Sequence, residues 1–158
     1  MKSAHGIVAG LINNWQNQGI LDSQTGSPYS INSYTDTAAT GIGGALADAV
    51  PGVGRNPAHR GVNGYFNTAA FAEAANGTYG TSSRNILYGP SHVDFDFSLF
   101  KEFPIREAGK IQFRGEFFNL FNHPNFHNPD NTVNDGTFGQ LTSANDGRVA
   151  QFALKYLF

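Results

Sequence analysis

Three clusters of side chains in this 158-residue sequence have the types that chemistry uses. Ser91-His92 with Asp94 has the composition of a nucleophile, a base and an orienting acid. A triad is defined by geometry, with the nucleophile hydrogen-bonded to the base and the base to the acid. Near neighbours at the mouth of a strand do not meet that requirement, so these are expected to be loop-to-strand boundary residues. His123 and His127, with Asp130 following, would suit a metal pair only on a helix. Pro124 and Pro129 make the segment a loop. Asn128–Gly136 is rich in Asp and Asn but lacks the ordered spacing and terminal Glu of a calcium loop; Asx turns in a solvated loop are the simpler expectation. The sequence therefore points to no enzyme, no cofactor and no metal.

Composition says what kind of scaffold carries these residues. Charged residues make up 14%, against roughly 25% in ordinary soluble domains. Aromatics reach 13%, with 14 Phe, yet the mean hydropathy is slightly negative. Apolar and small uncharged polar residues are both plentiful, as in sheets with one greasy and one polar face. The net charge is −2 and the basic residues are scattered, which gives no footprint for nucleic acid. Cysteine is absent, which excludes disulfides and thiolate metal sites. No apolar run approaches the roughly 20 residues of a membrane-spanning helix. The apolar stretch Ile7–Ile12 behind Lys2 is shorter than the roughly 7–15-residue core of a signal peptide. An outer-membrane protein needs such a signal, so a fragment is expected.

Period-two alternation marks the strands. In the C-terminal segment, about 148–158, Ala150, Phe152, Leu154, Tyr156 and Phe158 share one face, and Gln151 and Lys155 lie on the other. Over 93–103, Phe95, Phe97, Leu99, Lys101 and Phe103 oppose Asp94, Asp96, Ser98, Phe100 and Glu102. Over 110–121, Phe113, Gly115 and Phe117 oppose Gln112, Arg114 and Glu116. Pro104 and Gly109 bracket a reversal, so the last two strands form a hairpin with Glu102 and Lys110 nearly opposite. A weaker strand is expected at about 14–26, up to Gly26-Ser27-Pro28. Segments 27–92 and 122–147 are long and turn-rich, with short helical candidates at Gly44–Ala49 and Thr68–Ala75.

Long loops argue against a compact soluble domain and suit a membrane barrel, whose extracellular loops are long and periplasmic turns short. In an up-and-down order both long loops fall on one side and the short turn on the other. The fold expected is all-β: antiparallel strands forming the C-terminal part of a transmembrane β-barrel, incomplete because the smallest bacterial barrels need about 8 strands. Phe95, Phe97, Leu99, Phe113 and Phe117 would then face lipid. Asp94, Asp96, Arg114, Glu116 and Lys155 would face the lumen, where cross-strand charge pairing is expected over contact with a ligand or plug.

Family resemblance adds detail. Trp15 with Gly19-Ile20-Leu21 and Thr25–Tyr29, Asn85–Pro90, Asp96–Lys101, and above all Arg114-Gly115-Glu116-Phe117-Phe118-Asn119-Leu120-Phe121-Asn122-His123-Pro124 resemble TonB-dependent receptor-like barrels. The relatives meant are those with carboxypeptidase-regulatory-like N-terminal modules. The resemblance implies a Gram-negative-type outer-membrane transporter of about 22 strands around a plug, importing a scarce ligand with energy relayed by TonB. It also implies that Ala150, Phe152, Leu154, Tyr156 and Phe158 form the signal read by the barrel-assembly machinery, since an open strand edge with alternate side chains is a pairing template. Implied partners are outer-membrane lipid, that machinery, the rest of the barrel with its plug, and TonB through the missing N-terminal part. The rival expectation is a secreted or surface β-rich module that uses 27–92 to bind glycan or protein. Its Phe rows would be the core of a soluble sandwich.

Overall fold

The computed structural model describes residues 7–41, 44–105 and 109–158. A short helix, α1 (Ile7–Ile12), precedes β1 (Trp15–Gln24), a turn the alternation did not foresee. The pairs β2 (Pro28–Tyr29) and β5 (Leu87–Tyr88), and β3 (Asp48–Ala49) and β4 (Phe71–Ala72), are minimal two-stranded ribbons. The long strands β6 (His92–Pro104), β7 (Lys110–Phe118) and β8 (Val149–Leu157) fall where alternation places them. The chain divides into two compact units, a sheet unit and a loop unit.

Among the described residues the sheet unit holds 7–23, 93–105, 109–124 and 146–158. Its strand order is β1-β6-β7-β8, an open meander in which sequence neighbours among the long strands are sheet neighbours. Register runs antiparallel from Phe97↔Phe117 to Pro104↔Lys110 and from Lys110↔Leu157 to Phe118↔Val149. The Glu102 N–H donates to the Asn14 carbonyl (3.0 Å), and Gly19 lies beside Phe95 and Asp96. As β1 advances β6 therefore recedes, and this pair is antiparallel too. The β6–β7 hairpin closes through the Ile105 N–H on the Gly109 carbonyl (2.7 Å), with Gly109 at φ 108°; the centre of that turn, 106–108, lies outside the described residues. Glu102 pairs across with Gln112, two rungs from Lys110, and reaches Lys110 diagonally at 2.8 Å.

The loop unit holds 24–92 and 125–145. The turn-rich stretches are thus not structureless: they share a core of Tyr29, Ile31, Ala47, Tyr65, Phe66, Ala70, Phe71, Val133 and Leu141. Phe66 is its hub, with ring centroids 6.2 Å from Tyr29, 5.8 Å from Phe71 and 5.2 Å from Phe138. Neither helical candidate forms an α-helix. Asp48–Ala49 of the first pairs with Phe71–Ala72 of the second. Before that ribbon, Thr68–Ala70 makes one 3-10 turn, capped by the Asn67 side chain accepting from the Ala69 N–H (3.2 Å). Alanine propensity is overridden here by burial of Ala47, Ala70 and Phe71.

Candidate membrane-facing surface

Cross-strand register brings the sequence-selected apolar residues onto one face. Phe97 stands opposite Phe117, Leu99 opposite Gly115, and Lys101 opposite Phe113. Across the next seam Phe117, Gly115, Phe113 and Ile111 meet Ala150, Phe152, Leu154 and Tyr156. The rings interlock: Phe152 stacks on Phe113 (6.1 Å, 16°) and meets Phe117 edge-on (5.8 Å, 85°). Phe152 also covers Gly115, where an added Cβ would stand 3.4 Å from its ring. Phe95 leans over Gly19 in the same way, and Tyr156 and Phe158 lie 6.1 Å apart. Ring over glycine is a cross-strand device that restores contact where a strand lacks a side chain.

Along β8 this face is exposed, while Phe95, Phe97, Leu99, Phe113 and Phe117 on the inner strands are half-buried. No sheet residue belongs to the hydrophobic core cluster, and Phe152 and Leu154 are 64% and 71% exposed. Burying such a side chain is worth about 1.5–3 kcal/mol, so the row strongly favours a cover. A soluble sandwich would supply one from its second sheet, and a barrel wall takes it from lipid. The strands have 10, 13, 9 and 9 residues, against about 9–11 for a tilted strand that crosses a bilayer. No helix among the described residues is long and apolar enough to cross.

The opposite face is polar but is not the charge ladder expected of it. Asp96 accepts the Asn119 N–H (3.0 Å), Glu116 accepts from the Gln151 side-chain amide, and Arg114 lies 4.7 Å over the Phe100 ring. Lys155 stands opposite Gln112, and one oxygen of Asp94 is buried without a partner. Asp96, Glu116 and Arg114 thus use amides and a ring in place of one another, because β6 to β8 register opposes Glu116 to Ser98 and Gln151, and Arg114 to Phe100 and Ala153. Lys110 forms an ion pair with Glu102, and Gln112 also donates to Glu102 (3.2 Å).

Two consecutive residues invert the pattern on the faces where alternation places them, and what alternation did not expose is their burial. Phe100 is buried on the polar face beneath Arg114. Lys101 is buried on the apolar face, its ammonium 5.3 Å from both the Trp15 and Phe103 rings, and it donates to the Asn13 carbonyl. Each cation is sheltered by aromatic faces, the arrangement that best tolerates a cation in apolar surroundings.

The Asn-rich run after β7 is a corner. Asn119 and Asn122 take left-handed backbone (φ 50° and 53°), which Asn accepts more readily than other non-glycine residues. Asn119 Nδ2 donates to the His123 carbonyl (3.0 Å) while its Oδ1 accepts the His123 N–H (2.9 Å). The Leu120 N–H reaches the Phe95 carbonyl (2.8 Å), and Phe121 stacks on Phe95 at 5.4 Å. Asn122 Oδ1 accepts the Arg148 N–H (2.9 Å) and Arg148 donates to the Leu120 carbonyl (3.2 Å). The corner therefore ties β7 to β6 and to the chain entering β8. It also ends β7 at Phe118, three residues short of the expected strand end.

A two-faced antiparallel meander with spanning-length strands and an aromatic row exposed at its β8 edge is the geometry of a barrel wall. The sequence model of one family, the outer membrane beta barrel domain, matches residues 1–151. The chain belongs to that family. No curated protein and no solved structure matches it. As an outer membrane barrel domain its place is the outer membrane, and the open sheet is part of a barrel. The histidines named above sit in other settings: His92 opens β6, and His127 contacts Ser143 Oγ (3.1 Å) and Asn145 Oδ1 (2.7 Å) within the loop unit. No group of three or more His, Cys, Asp or Glu among the described residues is arranged to hold a metal.

Proposed function

We propose that the chain supplies the last wall strands, the outward loops and the assembly signal of a TonB-dependent receptor-like transporter in a Gram-negative-type outer membrane. The observation that carries this reading is the aromatic face, exposed along β8, on strands of spanning length. In it Phe95, Phe97, Leu99, Phe113 and Phe117 face lipid. Asp94, Asp96, Arg114, Glu116 and Lys155 line the lumen. Ala150, Phe152, Leu154, Tyr156 and Phe158 address the barrel-assembly machinery through the open edge of β8. The parent's plug and TonB-contact segment would couple uptake to the inner membrane, and no catalytic step is assigned.

Fractionation of the full-length parent tests the reading. A heat-modifiable band in the outer membrane, with ligand uptake lost when TonB is deleted, is the expected result. Recovery in the soluble periplasm without heat modifiability overturns the membrane role, and uptake indifferent to TonB overturns the receptor role alone. A second reading, a surface module binding glycan or protein, draws on the loop unit's self-contained core. It requires residues 1–158 to be a cooperatively melting monomer in water without detergent.

A further inference from the structure

Within the loop unit an open cleft of about 560 Å³ is lined by Tyr29, Arg55, Asn56, Arg60, Tyr65 and Tyr88, with Ile86 and Leu87 supplying apolar wall. That volume is in the range of small-molecule sites, roughly 300–1,000 Å³. Two guanidinium groups share the cleft and no carboxylate lines it among the described residues. Arg60 lies with its Cζ 4.6 Å over the Tyr65 ring. One guanidinium face is thereby fixed against the ring, and its N–H edges remain the donors for a planar oxyanion. Tyr29 is 6% exposed, and its hydroxyl has no hydrogen-bond partner. A buried hydroxyl without a partner is uncommon in folded proteins.

We propose that this cleft binds a small organic anion carrying a ring, with its oxyanion group on Arg55 and Arg60 and its ring against Tyr65, Ile86 and Leu87. The two positive charges set the preference for an anion, and the apolar wall sets the preference for an organic one. The inference stands apart from the transporter reading, because equilibrium binding requires no uptake.

The test is isothermal titration of the full chain in zwitterionic detergent with benzoate and phenyl phosphate, against benzyl alcohol and inorganic phosphate as controls. Both aryl anions are expected to bind saturably, with the controls weaker by roughly tenfold or more. Arg55→Gln, which removes one of the two positive charges, should weaken the aryl anions roughly tenfold. Tyr29→Phe should raise the melting temperature and leave the aryl-anion affinity unchanged, since it removes an unsatisfied hydroxyl that is buried beneath the cleft. Absence of saturable binding by both aryl anions up to millimolar concentration overturns the proposal. So does equal affinity for benzyl alcohol or inorganic phosphate, or binding unchanged in both Arg55→Gln and Arg60→Gln.

Discussion

In the sheet, Phe152 and Leu154 stand 64% and 71% exposed, whereas in the loop unit Phe66 and Ile31 are 3% and 0% exposed. The two regions draw on the same residue types and satisfy them differently. The loop unit gathers apolar side chains from distant stretches into its own interior and ties its backbone with turns and caps. The sheet satisfies its backbone through ladders and leaves its aromatic row for an external medium. What separates them is periodicity: regular alternation makes a surface with two media, while irregular spacing around Gly, Asn and Asp makes a small closed core.

The sharpest way to break the comparison is to cut the closed core. Phe66→Ala should cost about 3–5 kcal/mol. Hydrogen exchange should speed up throughout the loop unit, while the circular dichroism of the sheet in detergent survives. Loss of both signals together would mean that the regions are one cooperative body.

Next comes the open face. Leu154→Arg should destabilise the parent barrel by about 2–4 kcal/mol in urea titrations from vesicles, the effect of a cation near the bilayer midplane. Tyr79→Arg, at a loop-unit side chain 76% exposed, should fall within roughly 0.5 kcal/mol of zero. Equal tolerance at both positions would contradict the lipid assignment.

A third change tests the corner. Asn119 is 6% exposed and forms a reciprocal pair with His123. Asn119→Ala should cost about 1–3 kcal/mol through the unpaired groups left behind, with added strain from its left-handed backbone. Asn119→Gly relieves the strain but not the lost bonds, so its melting temperature should lie between parent and Ala.

The smallest expected effect is that of pH on the loop unit. Burial pushes the Glu73 carboxyl up, but the Tyr34 and Thr35 N–H groups and the Thr35 hydroxyl, each at 2.9 Å, outweigh it and hold the carboxyl below the usual range. A depressed folded value means stability that is present above the ordinary carboxylate range and is lost as pH falls through the lowered value. Asp36, similarly desolvated but held down by Gly41, Thr40 and the Thr40 hydroxyl, acts in the same direction. Glu73→Gln should lower the neutral-pH urea midpoint slightly and flatten its acid dependence; an unchanged slope would remove Glu73 from the account.

How much of this was legible in the sequence follows from the same distinction. Strands over 93–103, 110–121 and 148–158 were readable because each face repeats every second residue, and their observed bounds differ by a few residues at most. The faces of Phe97, Phe117 and Ala150 follow from that period. The depth of Phe100 and Lys101 does not, because each is buried by partners on other segments. The loop-unit core was illegible for a similar reason: Ile31, Phe66 and Leu141 have no shared period, and what unites them is tertiary. The Asn-rich corner was visible as a specific run, but its role as a strand terminator needed the backbone angles of Asn119 and Asn122.

The loop unit's composition from two insertions also carries a kinetic consequence. Asn131 Nδ2 donates to the Ser30 carbonyl across 101 positions, and the Asn32 N–H donates to the Asn131 carbonyl. The first insertion therefore cannot complete its interior until the second, with Val133 and Leu141, has emerged and returned to it. Closure over such separations is slow beside a local hairpin such as β6–β7. During that interval Phe66 and its neighbours are open to water and to other chains, which makes the first insertion the stretch most in need of chaperoning during biogenesis.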